Sequence, residues 1–141
     1  MFSEIACYGQ DSTFDDILTT IFISAEQNVN CVALPSGFMG RVVDFLKDQR
    51  FSAVIDFPYG ISTTQVRLHE IILAIRHGAN LIDLVLNGSY LKEENWKKIE
   101  EDLKVCSTVC NENNITLRPI LEYKLFSPKV VIKACEMLEK Y

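Results

Sequence analysis

The stretch Gly78-Ala79-Asn80-Leu81-Ile82-Asp83-Leu84-Val85-Leu86-Asn87 decides the fold. It is entered from a helix-ending glycine, runs through apolar residues with one acid among them, and leaves through Asn87-Gly88-Ser89. An apolar run of this length between turn residues marks a strand buried on both faces. Alternation puts Leu81, Asp83 and Val85 on one face and Ile82, Leu84 and Leu86 on the other. A carboxylate at such a position needs a partner or a site, so Asp83 is the first candidate functional residue.

Outward from this strand, helical and strand patterns alternate. Residues 3–8 make a weak strand. Ser12 and Thr13 each precede an Asp by three, the spacing of a capping box that opens a helix to about Gln27. Cys31 to Leu34 is a short strand closed by Pro35-Ser36-Gly37, followed by a helix to about Lys47. Phe51 to Phe57 is the next strand, ended by Pro58-Tyr59-Gly60. Ser62 with Gln65 predicts another capping box, opening a helix whose Val66, Leu68, Ile71, Ile72 and Ile75 form one apolar face. His77 ends it beside Gly78, and His69 has no ligand partner one turn on.

Beyond Asp83, residues Trp96, Ile99, Leu103, Cys106 and Cys110 recur at helical spacing. Their helix carries Glu93/Lys97, Glu94/Lys98 and Glu100/Lys104 on its solvated side, pairs worth about 0.2–0.5 kcal/mol each. Ile115 to Tyr123 is a further strand. Ser127-Pro128 places an N-cap before a first-turn proline, and the last helix runs to the terminus.

About five β-α units with no linker predict a single domain, 1–141, built on a mainly parallel sheet covered by helices. Alternation alone leaves open a doubly wound sheet or part of a (β/α)₈ barrel. The 141 residues suit one domain, and a net charge of −5 with interleaved signs argues against a nucleic-acid groove. No run is long enough to span a bilayer. Met1-Phe2-Ser3-Glu4 lacks the look of a signal peptide, which leads to an expectation of a cytoplasmic protein. The five cysteines form no C-x-x-C pair and read as core or reduced thiols, with no metal site. No G-x-G-x-x-G or phosphate-loop motif signals a nucleotide cofactor.

Parallel α/β folds gather their chemistry at the C-terminal ends of strands. There this chain offers Pro35-Ser36, Asp56-Phe57-Pro58, Asp83 with Asn87, and Arg118 with Glu122. Arg118, Ile120 and Glu122 share a face of their strand. If both faces point to one interior, Asp83 and Arg118 pair. A buried structural ion pair accounts for them as well as a site does.

The chain resembles the deoxyribose-phosphate aldolase family. The resemblance is carried by Asp56-Phe57-Pro58-Tyr59-Gly60 with Thr63-Thr64-x-Val66, by Gly78-Ala79-x-x-Ile82-Asp83-x-Val85-x-Asn87, by Asn95-Trp96 with Glu100-Glu101-Asp102-Leu103, and by Leu117-Arg118-Pro119-Ile120-Leu121-Glu122. These occur in family order, from about residue 14 to the end. The resemblance implies about five units of a TIM (β/α)₈ barrel and class I aldol chemistry. The family reaction is reversible cleavage of 2-deoxyribose 5-phosphate to glyceraldehyde 3-phosphate and acetaldehyde through a lysine Schiff base. It implies no metal and no organic cofactor, a small phosphorylated sugar or aldehyde as ligand, a role in deoxyribonucleotide catabolism, and a homo-oligomer. Asp83 matches the family's proton-relay aspartate, and Arg118 stands where a lysine is usual. These two are the expected catalytic residues, with Asn87 and Glu122 as substrate-binding ones. Asp83 is expected in the C-terminal half of its strand, within reach of Arg118.

The departures from the family are specific. The Schiff-base lysine and a second lysine belong to the family's sixth and seventh strands, beyond the last strand here. The family's Asp-x-Thr strand is replaced by Ile5-Ala6-Cys7-Tyr8, and Leu34 takes the place of an Asn. Arginine keeps lysine's charge but does not exchange protons near neutrality. The alternative reading is a divergent or truncated module, without catalysis, that binds or assembles. A further enzymatic one is another Schiff-base aldolase acting on a related sugar phosphate.

Overall fold

The computed structural model describes residues 3–46 and 49–141. Five strands form one sheet in the order β1 (Glu4–Ala6), β2 (Cys31–Pro35), β3 (Arg50–Ile55), β4 (Leu81–Val85) and β5 (Thr116–Ile120), and every neighbouring pair is parallel. The helices between and after them are α1 (Phe14–Glu26), α2 (Met39–Leu46), α3 (Thr64–Arg76), α4 (Gly88–Lys92), α5 (Trp96–Glu112) and α6 (Pro128–Leu138). Each strand returns beside its predecessor through a helix, the arrangement that short crossovers enforce. The expected end of α2 at about Lys47 lies outside the described residues. The short α4 was not expected, since Asn87-Gly88-Ser89 reads as a turn.

The two faces of the sheet differ as alternation predicts. Val32, Leu34, Ala53, Ile55, Ile82, Leu84 and Leu86 join Ile17, Ile21, Val42, Ile71, Leu103 and Cys106 of the helices in one apolar core. The opposite face carries Cys31 and Ala33, Ser52 and Val54, Leu81, Asp83 and Val85, and then Arg118. Although no helix among the described residues covers it, Val54, Leu81 and Val85 are at most 4 % exposed. The sheet must therefore curl so that its own side chains fill the concave side, as in a barrel interior.

Two local expectations need correction. The cap of α3 is Thr63, whose hydroxyl accepts from the Val66 N–H, and not Ser62. Ser62 is engaged elsewhere: its N–H and its hydroxyl donate to the two Asp56 oxygens at 2.9 and 2.8 Å. The buried stripe of α3 is also rotated. Val66 is 55 % exposed, whereas Arg67, Ile71 and Ala74 are buried. Arg67 tolerates this because its guanidinium donates to Asp102 and to the Val85 carbonyl, and faces Asp56 Oδ2 at 3.4 Å. A buried charge is stable only with such partners.

The expected pairs of Glu93 and Glu94 with Lys97 and Lys98 do not form. Both acids precede the first turn of α5, and Glu94 has a positive φ of 51°. Lys97 and Lys98 turn to Glu101, Glu94 meets Lys129, and Glu100 meets Lys140 instead of Lys104. The capping box at Thr13 and Asp16, by contrast, is present in both directions.

Candidate active site

Asp83 and Arg118 are direct register partners on β4 and β5. Each is the middle residue of its strand, one pleat deeper than the C-terminal half expected for Asp83. The guanidinium grips the carboxylate at both oxygens: Nε donates to Oδ1 at 2.6 Å and an Nη to Oδ2 at 2.7 Å. The same Nη donates to Glu4 Oε2 on β1 at 2.6 Å. Burial pulls the Arg118 pKa down, but its bonds to Asp83 and Glu4, with their charges, outweigh this and raise it. Arg118 is therefore a fixed cation, incapable of cycling a proton near neutrality.

The other two expected residues stand apart from this pair. Asn87 lies beyond β4 and is 8 % exposed; its Oδ1 accepts from the Tyr90 N–H at 3.1 Å and so caps α4. Glu122 is exposed in the turn after β5, where its carbonyl accepts from the Leu125 N–H.

A cleft of about 360 Å³ opens at the C-terminal ends of the first three strands, lined in part by Tyr8, Ser36, Asp56, Phe57 and Glu70. The Tyr8 and Phe57 rings meet edge to face at 4.8 Å. Glu70 reaches in from α3: Ser36 donates its hydroxyl to Oε1, and the Asp56 N–H donates to Oε2. Burial pushes the Glu70 carboxyl above the ordinary range, with these two bonds partly opposing it. The loop below is held tightly. Gly60, at φ 64°, bonds back to the Asp56 carbonyl, and a Cβ there would lie 2.5 Å from the Leu86 carbonyl oxygen. Asp56 itself sits at φ 55°, where its short polar side chain is tolerated.

Sequence reasoning missed Glu4, Glu70 and the Arg67–Asp102 pair. The only signal for Glu4 was its place on a weak strand. Glu70 and Arg67 sat in a helix that was read for its apolar face alone. Among the described residues no group of three or more His, Cys, Asp or Glu side chains could hold a metal ion, and no helix is long and apolar enough to cross a membrane.

Curled parallel β-α units with polar groups on the concave side and at the strand ends define the TIM-barrel class, present here as five strands. The DeoC/LacD family aldolase profile matches residues 5–136, and the chain belongs to that family. It is 33 % identical over 125 residues to the deoxyribose-phosphate aldolase of Mycoplasmopsis pulmonis, covering 87 % of this chain and 56 % of the relative. To that of Staphylococcus epidermidis it is 33 % identical over 131 residues, covering 92 % and 59 %. The chain thus spans little more than half the length of these curated relatives. Its fold superposes on a Coccidioides immitis structure described as a deoxyribose-phosphate aldolase with a TM-score of 0.88 at 20 % identity, over 95 % of this chain and 53 % of that one. The tetrameric deoxyribose phosphate aldolase of Aeropyrum pernix gives 0.87 at 17 % identity, over 96 % and 57 %.

Proposed function

We propose that this chain forms the first five β-α units of a class I aldolase acting on a phosphorylated deoxy sugar. The observation that carries the proposal is Asp83, an acid on the concave side of β4 within the family's motif and charge-paired by its register partner. In this reading Asp83 relays a proton next to a Schiff base, a step for which positioned acids supply typically 10²–10⁴-fold. The reactive amine comes from elsewhere, because no lysine among the described residues lies in a strand. Lys124 is exposed in the turn after β5, and Lys129, Lys133 and Lys140 pair with Glu94, Glu136 and Glu100. Asn87 and Glu122 stand at the strand ends as candidates to meet substrate hydroxyls. A reducing, cytosolic setting and a place in deoxyribonucleotide catabolism suit five free thiols and the family's chemistry.

The test joins residues 1–141 to the C-terminal β-α units of the Mycoplasmopsis pulmonis relative. The chimera should cleave 2-deoxyribose 5-phosphate and be trapped by borohydride, and Asp83→Asn in it should lose about 10²–10⁴-fold in kcat. The 141-residue chain alone should show no mass increase on the same treatment. An Asp83→Asn chimera with full turnover would assign Asp83 a structural role.

One observation favours a second reading, a module that binds without catalysis. Arg118 occupies both Asp83 oxygens, and no proton passes through a guanidinium near pH 7. On that reading Arg118→Lys in the chimera raises turnover, whereas on the first it changes turnover little.

A further inference from the structure

β1 and β5 are the two edges of the sheet, four strand spacings apart. In a flat sheet that is about 19 Å, too far for two side chains to meet. Yet Glu4 and Arg118, 114 residues apart in sequence, bond at 2.6 Å across the concave side. Their side chains are 26 % and 32 % exposed, and Asp83 is 9 % exposed. Three charged groups from β1, β4 and β5 thus converge where the neighbouring side chains are apolar or small.

We infer that Glu4 is a positioning residue. By holding the same Nη of Arg118 that bonds Asp83, it aims the guanidinium at both oxygens of Asp83, and it ties the first strand of the sheet to the fifth. The geometry explains the direction of action. A guanidinium is a planar fork, and a bidentate grip on one carboxylate leaves its plane free to hinge about that carboxylate. A second acid on the far side of the sheet removes this freedom. Glu4 bonds Arg118 directly, and the buried Cys31 thiol is a second neighbour that it shares with Asp83, so removing Arg118 separates the two routes.

The test is proton exchange, followed by NMR, on the 141-residue protein and its Glu4→Gln, Arg118→Leu and doubly substituted forms. It reads the protection of the bonded N–H groups and holds whether or not the chain supports turnover. Glu4→Gln should speed exchange of the Arg118 Nε–H about ten-fold. It should also speed the Cys7 amide, which donates to the Ala33 carbonyl at 3.0 Å, and leave the central strand amides of Ala53 and Ile82 unchanged. In the Arg118→Leu background, adding Glu4→Gln should have no further effect on the Cys7 amide. Unchanged Nε–H exchange in Glu4→Gln, or an effect on Cys7 that survives in the Arg118→Leu background, would overturn the inference.

Discussion

At the scale of the residue, the decisive groups are acids held by different neighbours. Asp83 is held by a cation, Asp56 by Ser62 and Arg67, and Glu70 by a hydroxyl and an N–H in a half-buried cleft. Glu70 makes a pH-dependent contribution whose sign follows from its raised pKa. The folded protein keeps a proton that the unfolded chain releases near the ordinary glutamate value of about 4.3. Stability from this group is therefore complete below that pH and is lost as pH rises through the elevated folded value. Glu70→Gln should flatten this part of the urea-midpoint profile and leave the protein relatively more stable at neutral pH. A profile unchanged by the substitution would show that Glu70 titrates alike in both states. The Asp83–Arg118 contact was legible because two-residue periodicity and strand adjacency both pointed at it. Glu4 was not, because its partner lies four strands away and nothing local marks it.

At the scale of the element, caps and faces separate what local chemistry determines from what packing decides. Thr63 and Ser62 are adjacent, similar, and both placed to start α3, yet only one does so. The Asp56 carboxylate claims Ser62, and that choice is made by the β3–α3 loop and not by the helix. Thr63→Ala should cost roughly 0.5–1 kcal/mol in a denaturant titration and speed exchange of the Val66 amide. Ser62→Ala should leave that amide protected. The opposite pattern would return the cap to Ser62. The same reasoning explains the rotated stripe of α3. Counting apolar letters favoured Val66, but a paired Arg67 is buried at 1 % exposure while Val66 stays in water. The stripe of α5 was read correctly, since Ile99, Leu103, Cys106 and Cys110 are all buried. The ion pairs along its solvated side were not, because Glu93 and Glu94 lie before the helix start at Trp96 and Glu100 meets Lys140 from the chain's far end.

At the scale of the whole molecule, the parallel order β2 to β5 followed from alternation and short crossovers, and the barrel identity from the ordered motifs. The edges have consequences of their own. Leu86 donates to the Ile120 carbonyl, so Ile120, Arg118 and Thr116 turn their backbone groups toward β4. Leu117, Pro119 and Leu121 then point theirs away from the sheet, and Pro119 has no N–H to offer there. This blunts the edge at one position but leaves the others able to pair. Light scattering after size exclusion should show the 141-residue chain as a dimer or larger species. A monodisperse monomer at tens of micromolar would mean that the edges protect themselves. The bond between Glu4 and Arg118 has one more consequence, for fidelity of folding. A one-residue slip in any strand pairing turns every side chain of the slipped strand to the other face. Four successive registers separate Glu4 from Arg118, and the two share a face only if the four shifts sum to the right parity. The bond therefore works as a parity check on the assembled sheet, broken by any odd number of one-residue register errors.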